Sequence, residues 1–317
     1  MESWYASHMK NQTKIEEIKF SNIGVLLVGY NRPELLQKRI TELSNSMLEN
    51  IHISIDGGSE SHTLEMQSIQ LLAKKVLKER LAEFHHHQDR KGLVLHITDE
   101  ISKVLLKYKY IIVLEDDVKT AKNFDINMLN GLRIQHKLGY KGIVAGCAPI
   151  FSNRFKNKWR KTHMCYLWGW ACSAEFWSGY EHDLSKTEIE KELLRSSLWK
   201  KLSNYEKNYW LNIFRKVQKD ILFTWDVQLV FYTFKNNLIN ICPIFAITGN
   251  EGFGDLRATH TKGKKPKNIS NSKINTRVIS RLSNYSYIYK PFEGNGFLLH
   301  RIPTFFRKKF KTNNRKR

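Results

Sequence analysis

Short apolar runs rich in β-branched residues recur along the first third of the chain, each followed by a turn and then by apolar positions at helical spacing. The first is Ile23-Gly24-Val25-Leu26-Leu27-Val28. Its length and lack of alternation predict a strand covered on both faces. Gly29-Tyr30-Asn31-Arg32-Pro33 then reads as a loop, with Asn31 as the expected cap and Pro33 in the first turn of a helix that carries Leu35, Leu36, Ile40 and Leu43 on one face. Ile51 to Ile55 is the next strand, ending in Asp56-Gly57-Gly58, and Leu64 to Leu81 has the pattern of a long amphipathic helix. A third strand is expected around Phe84 to His87. Gly92 then opens a helix with Leu93, Ile97, Ile101 and Val104, which leads into Tyr110-Ile111-Ile112-Val113-Leu114. Strands alternating with helices in this way predict a mainly parallel, doubly wound α/β sheet.

The second half is less regular. Phe124 to His136 is expected to be helical, Ile143 to Ala145 a short strand, and Cys165 to Trp177 an aromatic-rich strand and turn. Leu184 to Lys219 is charged and helical in pattern, followed by a helix from Asp226 to Asn236 and a strand from Leu238 to Ile244. Gly263 to Ser272 is rich in lysine and asparagine and reads as a flexible loop. These shifts divide the chain into a lead-in (1–19), a catalytic body (20–262, with halves 20–120 and 121–262) and a basic extension (263–317).

Three acids, Glu115-Asp116-Asp117, directly follow the fourth apolar run. Open α/β sheets place their ligand crevice at that end of a strand, and Mg²⁺ or Mn²⁺ binds hard carboxylate oxygens together with substrate phosphates. The competing explanation is a solvated acidic turn.

Charge narrows the partners. A formal net charge of +22 over 317 residues draws phosphate-bearing molecules: nucleotides, anionic lipid or nucleic acid. Arg307 to Lys311 and Arg315 to Arg317, interspersed with Phe305, Phe306 and Phe310, read either as a solvated tail or as a tether to an anionic membrane. No zinc spacing or nucleic-acid module accompanies the charge, which argues against specific nucleic-acid binding. The four cysteines, Cys147, Cys165, Cys172 and Cys242, form no C-x-x-C pair and read as reduced core residues. With no apolar leader near Met1 and no run of eighteen apolar residues, a cytoplasmic protein is expected, held if at all at the inner face of the plasma membrane.

Taken together, Gly29-Tyr30-Asn31-Arg32-Pro33, Ile53 to Gly57, and Val113 to Val118 followed by Phe124 resemble the nucleotide-sugar half of GT-A fold glycosyltransferases. The resemblance is to the N-acetylglucosaminyltransferase I type and to bacterial relatives grouped near glycosyltransferase family 2. Leu167-Trp168-Gly169-Trp170-Ala171, Phe176-Trp177, Thr224-Trp225-Asp226, Gly249 to Gly254 and Ala258 to Thr261 resemble the acceptor half in the same order. The segment after Lys262 matches only loosely.

The resemblance implies a nucleotide-diphospho-sugar transferase fold, a mixed and mainly parallel sheet flanked by helices. It further implies an inverting enzyme moving a hexosyl or N-acetylhexosaminyl group from a nucleotide-diphosphate donor, UDP-sugar favoured, to a glycan or glycolipid in bacterial surface polysaccharide synthesis. By the same resemblance Asp117 holds Mn²⁺ or Mg²⁺, Glu115 and Asp116 touch ribose, sugar or the surrounding shell, Asp56 holds the base, and Arg32, with Tyr30 and Asn31, lines the nucleotide. His260 is a late ligand to metal or diphosphate, or a structural histidine.

Transfer also needs a base for the acceptor hydroxyl. Asp226 is the candidate: apolar neighbours would raise its pKa, although a helix start would lower it and an aspartate there is equally an ordinary cap. Arg90 and Lys91 either pair with diphosphate oxygens or form a surface pair. His85, His86 and His87 alternate across a strand and so are not expected to chelate one ion. Of Trp168, Trp170 and Trp177, one is expected to meet sugar and the others to pack. Two further classes stay open: a sugar-1-phosphate nucleotidyltransferase, which would carry a richer glycine loop after the first strand, and a non-enzymatic basic binding protein.

Overall fold

Strand β1 (Ile23–Gly29) is buried along its whole length because it lies between two parallel neighbours, β2 (Ile51–Ile55) and β4 (Tyr110–Glu115). Side chains alternate across the sheet, so Val25 and Leu27 enter one core while Leu26 and Val28 enter the other. The first core is closed by α1 (Pro33–Ser44), α2 (Ser61–Leu77) and α4 (Phe124–Lys137) through Leu36, Ile40, Ile69, Met128 and Leu132. The second is closed by α3 (Leu93–Leu105), whose Ile97, Ile101 and Val104 meet Trp170, Trp177 and Trp225. Covering both faces is what makes these strands read as unbroken apolar runs. The computed structural model describes residues 17–58, 61–147, 158–257, 274 and 276–282.

The remaining strands are β3 (Leu81–His86), β5 (Val118–Thr120), β6 (Val144–Ala145), β7 (Lys158–Thr162), β8 (Trp170–Ser173), β9 (Asn240–Pro243), β10 (Thr248–Asn250) and β11 (Arg281–Leu282). Nine of the strands form one sheet in the order β11-β7-β9-β6-β8-β4-β1-β2-β3. The run β3-β2-β1-β4 is parallel throughout, and β8 enters antiparallel between β4 and β6. The result is a mixed α/β architecture with a largely parallel central sheet flanked by helices. A separate antiparallel ribbon pairs β5 with β10, bringing Asn250 opposite Val118. Helices α5 (Ala174–Trp177), α6 (Ile189–Arg195), α7 (Ser197–Lys200), α8 (Asn204–Gln218) and α9 (Asp226–Lys235) complete the second half, and α6 to α9 share an aromatic core around Trp210, Phe214 and Phe234.

Several elements differ from the sequence expectation. Arg32, not Asn31, is the residue at the N-cap of α1, and no side chain caps that helix. Pro33 occupies the first turn, where an amide hydrogen would have no partner, and the Arg32 side chain turns toward the acids instead. Helix α2 stops at Leu77; a 3-10 turn, Lys78–Arg80, then carries the chain into β3, which claims Leu81. Strand β7 was not expected from its lysines, yet Trp159 and Arg160 in it are buried. Beyond Lys262, residues 276–282 return to the body: the Ile279 amide donates to Asn127 Oδ1 at 2.6 Å and β11 pairs with β7. Among the described residues no helix is long and apolar enough to cross a membrane.

Candidate active site

The carboxyl ends of β1, β2 and β4 open on one side of the sheet, and the chain leaves each of them through polar residues. After β4 the Asp116 amide donates to the Val28 carbonyl at 3.0 Å, and after β2 the Asp56 amide donates to the Gly29 carbonyl at 3.0 Å. These bonds extend the ladder past the strand ends and fix both aspartates beside the first loop. Such a crevice at the carboxyl ends is where open α/β sheets bind ligands.

Arg32 reaches across it. Its Nε donates to Asp116 Oδ2 at 3.2 Å, Nη2 pairs with Asp116 Oδ1, and Nη1 donates to Asp117 Oδ2 at 3.1 Å. Burial works to lower the Arg32 pKa, but the adjacent Asp116 and Asp117 outweigh it and raise it. Asp116 is pushed up to about 6, chiefly by burial, against the pull of Arg32. Glu115 keeps some surface at the crevice floor and is otherwise enclosed by protein. Burial drives its pKa well above the carboxylate range, and the charges of Asp117, Asp116 and more distantly Asp226 add to this while Arg32 opposes it. That last dependence brings Asp226 within electrostatic reach of the cluster.

Asp226 occupies the first turn of α9, with Trp225 at the cap position. Its Oδ1 accepts from Thr224 Oγ1, and it is half-buried. Trp225 beneath it stacks on Trp170 at 5.8 Å, and Tyr180 donates its hydroxyl hydrogen to the Trp225 carbonyl at 3.0 Å.

The Asp56 carboxylate is heavily used by the main chain. Oδ1 accepts from Gly57 and Lys91 amides at 3.0 and 2.8 Å, and Oδ2 from the Gly92 amide at 3.0 Å. Gly92, at φ +82°, makes the left-handed turn that starts α3. Arg90 lies over the Tyr30 ring at 4.8 Å, at the edge of the same loop. The Lys91 ammonium pairs with Asp99 at 3.2 Å.

The loop after β10 closes the far wall. The Glu251 amide donates to the Asp117 carbonyl at 2.8 Å, and the Glu251 carboxylate pairs with buried Arg39 at 3.1 Å. Gly252 lies directly against the cluster: a β-carbon there would sit 2.3 Å from Asp117 Oδ2 and 2.8 Å from Arg32 Nη1. Nothing at this glycine marks the contact in sequence except the glycine-rich context of Gly249 to Gly254. Gly252→Ala is expected to push Asp117 off Arg32 and to cost about 1–3 kcal/mol of stability, as overpacking does. A thermal melt of the variant checks it.

Half-exposed Trp168 faces Phe253 edge-on at 5.7 Å beside this loop, whereas Trp170 and Trp177 are buried. His260 lies outside the described residues, as do Ala258 to Thr261 and the basic tail.

Hard carboxylates facing a single guanidinium suit Mg²⁺ or Mn²⁺, and Asp117 Oδ1 makes no hydrogen bond to any described residue. Among the described residues no group of three His, Cys, Asp or Glu is arranged to hold a metal ion by itself. A cation here would take one or two protein carboxylates, Asp117 first, and draw its remaining ligands from phosphate and water.

Histidines gather beneath the crevice. His85 and His87, two apart on the strand and its continuation, share a face, with Nε2 of one 3.0 Å from Nδ1 of the other. His87 Nε2 lies 3.2 Å from Glu100, and His96 Nε2 lies 2.8 Å from Ser54 Oγ. Burial lowers the His96 pKa to about 4, despite the attraction of Asp56 and Glu100 and with opposition to charge from His87 and Lys91. Between the unfolded value near 6.5 and that folded value the unfolded chain binds the extra proton, so this contribution to stability is present at neutral pH and is lost as pH falls. The loss is on the order of 3 kcal/mol across that window. Urea melts from pH 7 to 4 are expected to show a shallower decline for His96→Gln than for wild type.

No family model matches the chain, and no curated protein does. Among solved structures it is similar to the mannosyltransferase PcManGT from Pyrobaculum calidifontis, solved with GDP-mannose and Mn²⁺, at a TM-score of 0.36 and 12% identity. The match covers 54% of this chain and 51% of that one, about half the length of each.

Proposed function

We propose that the protein is a metal-dependent inverting glycosyltransferase of the GT-A kind, taking a hexosyl or N-acetylhexosaminyl group from a nucleotide-diphosphate donor, UDP-sugar favoured, to a glycan or glycolipid hydroxyl. The observation that carries the reading is the meeting of Arg32, Asp116 and Asp117 at the carboxyl ends of β1 and β4, with Asp226 in electrostatic range. In this reading the nucleotide lies across Tyr30, Asn31, Asp56, Arg90 and Lys91, with its diphosphate toward Arg32 and Asp117. A bound divalent cation supplies charge neutralisation to the leaving diphosphate.

The chain's own residues do the rest. Asp117 would hold the cation at the diphosphate end of the site, Asp116 orients Arg32, and Asp226 accepts the proton of the attacking acceptor hydroxyl. Thr224, donating to Asp226 Oδ1, leaves Oδ2 for that proton. Trp168 and Phe253 offer an aromatic wall for the acceptor sugar. Displacement from the face opposite the leaving group inverts the anomeric centre.

A thermal-shift screen against UDP-, GDP- and dTDP-sugars, each with and without Mn²⁺, tests it. Stabilisation by one nucleotide sugar that requires Mn²⁺ is expected; no stabilisation by any of them would overturn the assignment.

A further inference from the structure

Arg32 divides its bonds unequally between two carboxylates. Nε and Nη2 form a fork on Asp116, while only Nη1 reaches Asp117. Asp116 is nearly inaccessible, with a side chain 3% exposed. Asp117 is more open, at 10%. A planar, permanently charged group held by a two-bond fork is firmly oriented, and its third bond is the one it can exchange.

We infer that Arg32 is a tethered counter-ion that competes with the divalent cation for Asp117 and releases it only when a nucleoside diphosphate offers a replacement anion. The inference rests on the reading given under Proposed function. Its consequence is that nucleotide and metal bind with positive coupling beyond their direct contact. With the site empty, the Arg32 charge already satisfies Asp117 and disfavours a second cation beside it. With a diphosphate present, a phosphate oxygen takes the Nη1 hydrogen bond and the more open Asp117 carboxylate rotates off it, while the fork on Asp116 keeps the rigid guanidinium in place. Asp117 is then left with an unpaired charge and would be free to hold a cation as the phosphates arrive. No proton or covalent bond moves in this exchange; one ion pair is traded for another. Coupling between two ligands is reciprocal, so the metal tightens nucleotide by the same factor.

The test measures Mn²⁺ affinity by calorimetry, with and without saturating UDP, for wild type, Arg32→Gln and Arg32→Lys. Arg32→Gln is expected to bind free Mn²⁺ about tenfold more tightly than wild type, because the carboxylates lose their counter-charge. The gain in Mn²⁺ affinity on adding UDP is expected to shrink by a similar factor, and UDP itself to bind more weakly. Arg32→Lys keeps the charge without the fork and is expected to fall between the two; should Arg32→Gln melt near room temperature, the lysine variant carries the comparison. If wild type shows Mn²⁺-dependent UDP binding but free Mn²⁺ binds neither variant more tightly, Arg32 is not a competitor and this inference fails alone. If wild type binds no UDP with Mn²⁺, the functional reading fails and the inference with it.

Discussion

Asp226→Asn is expected to bind donor nucleotide as wild type does and to transfer sugar roughly 10²- to 10⁴-fold more slowly, the range a positioned general base contributes. Asp226 makes no bond to Arg32, Asp116 or Asp117; its partner is Thr224, and asparagine can still accept that hydrogen bond through its amide oxygen. Geometry is therefore retained while the basic oxygen is removed. A purely structural role predicts something different. An acid in the first turn of α9 stabilises the helix by roughly 0.3–1 kcal/mol, so losing it would lower the melting temperature slightly and leave turnover untouched. Steady-state kinetics and a thermal melt on the same preparation separate the two, and undiminished turnover would remove Asp226 from the chemistry.

Asp117→Asn is expected to abolish Mn²⁺-dependent donor binding while leaving the fold intact. The amide keeps an acceptor for Arg32 Nη1, so the contact across the crevice persists with less charge. What disappears is the anionic oxygen that a hard cation prefers. Because no described trio of ligands stands ready around it, one lost carboxylate is a large share of the protein's contribution to any metal bound there. Calorimetric titration of nucleotide with Mn²⁺ present should show no heat in the variant; wild-type affinity in Asp117→Asn would refute the role.

The parts of this molecule legible in the sequence are those whose signal is local. β1, β2 and β4 are buried on both faces, so each reads as a continuous apolar run, and the polar residues at their ends mark the crevice. Glu115 to Asp117 could be nominated from position, whereas Asp56 and Arg32 are candidates only through the resemblance to GT-A glycosyltransferases. Contacts made at long range leave no such trace. The Arg32 fork on Asp116 spans 84 residues, and Gly252 meets Asp117 only because β10 pairs with β5. Strand β7 hides its buried Trp159 and Arg160 among lysines, and residues 276–282 return to the sheet from beyond a lysine-rich segment that lies outside the described residues. The alternation of His85, His86 and His87 was legible in the strand pattern, but the meeting of His87 with Glu100, and the place of His96 beside Ser54, depend on how α3 lies against β2 and β3.

Whether a cation and a nucleoside diphosphate share the crevice between β1 and β4 is decided by crystals grown with UDP and Mn²⁺ and measured at the manganese absorption edge. An anomalous peak beside an Asp117 oxygen is expected, with the diphosphate between that peak and Arg32. A peak away from Asp117, or UDP seated elsewhere on the sheet, would contradict it.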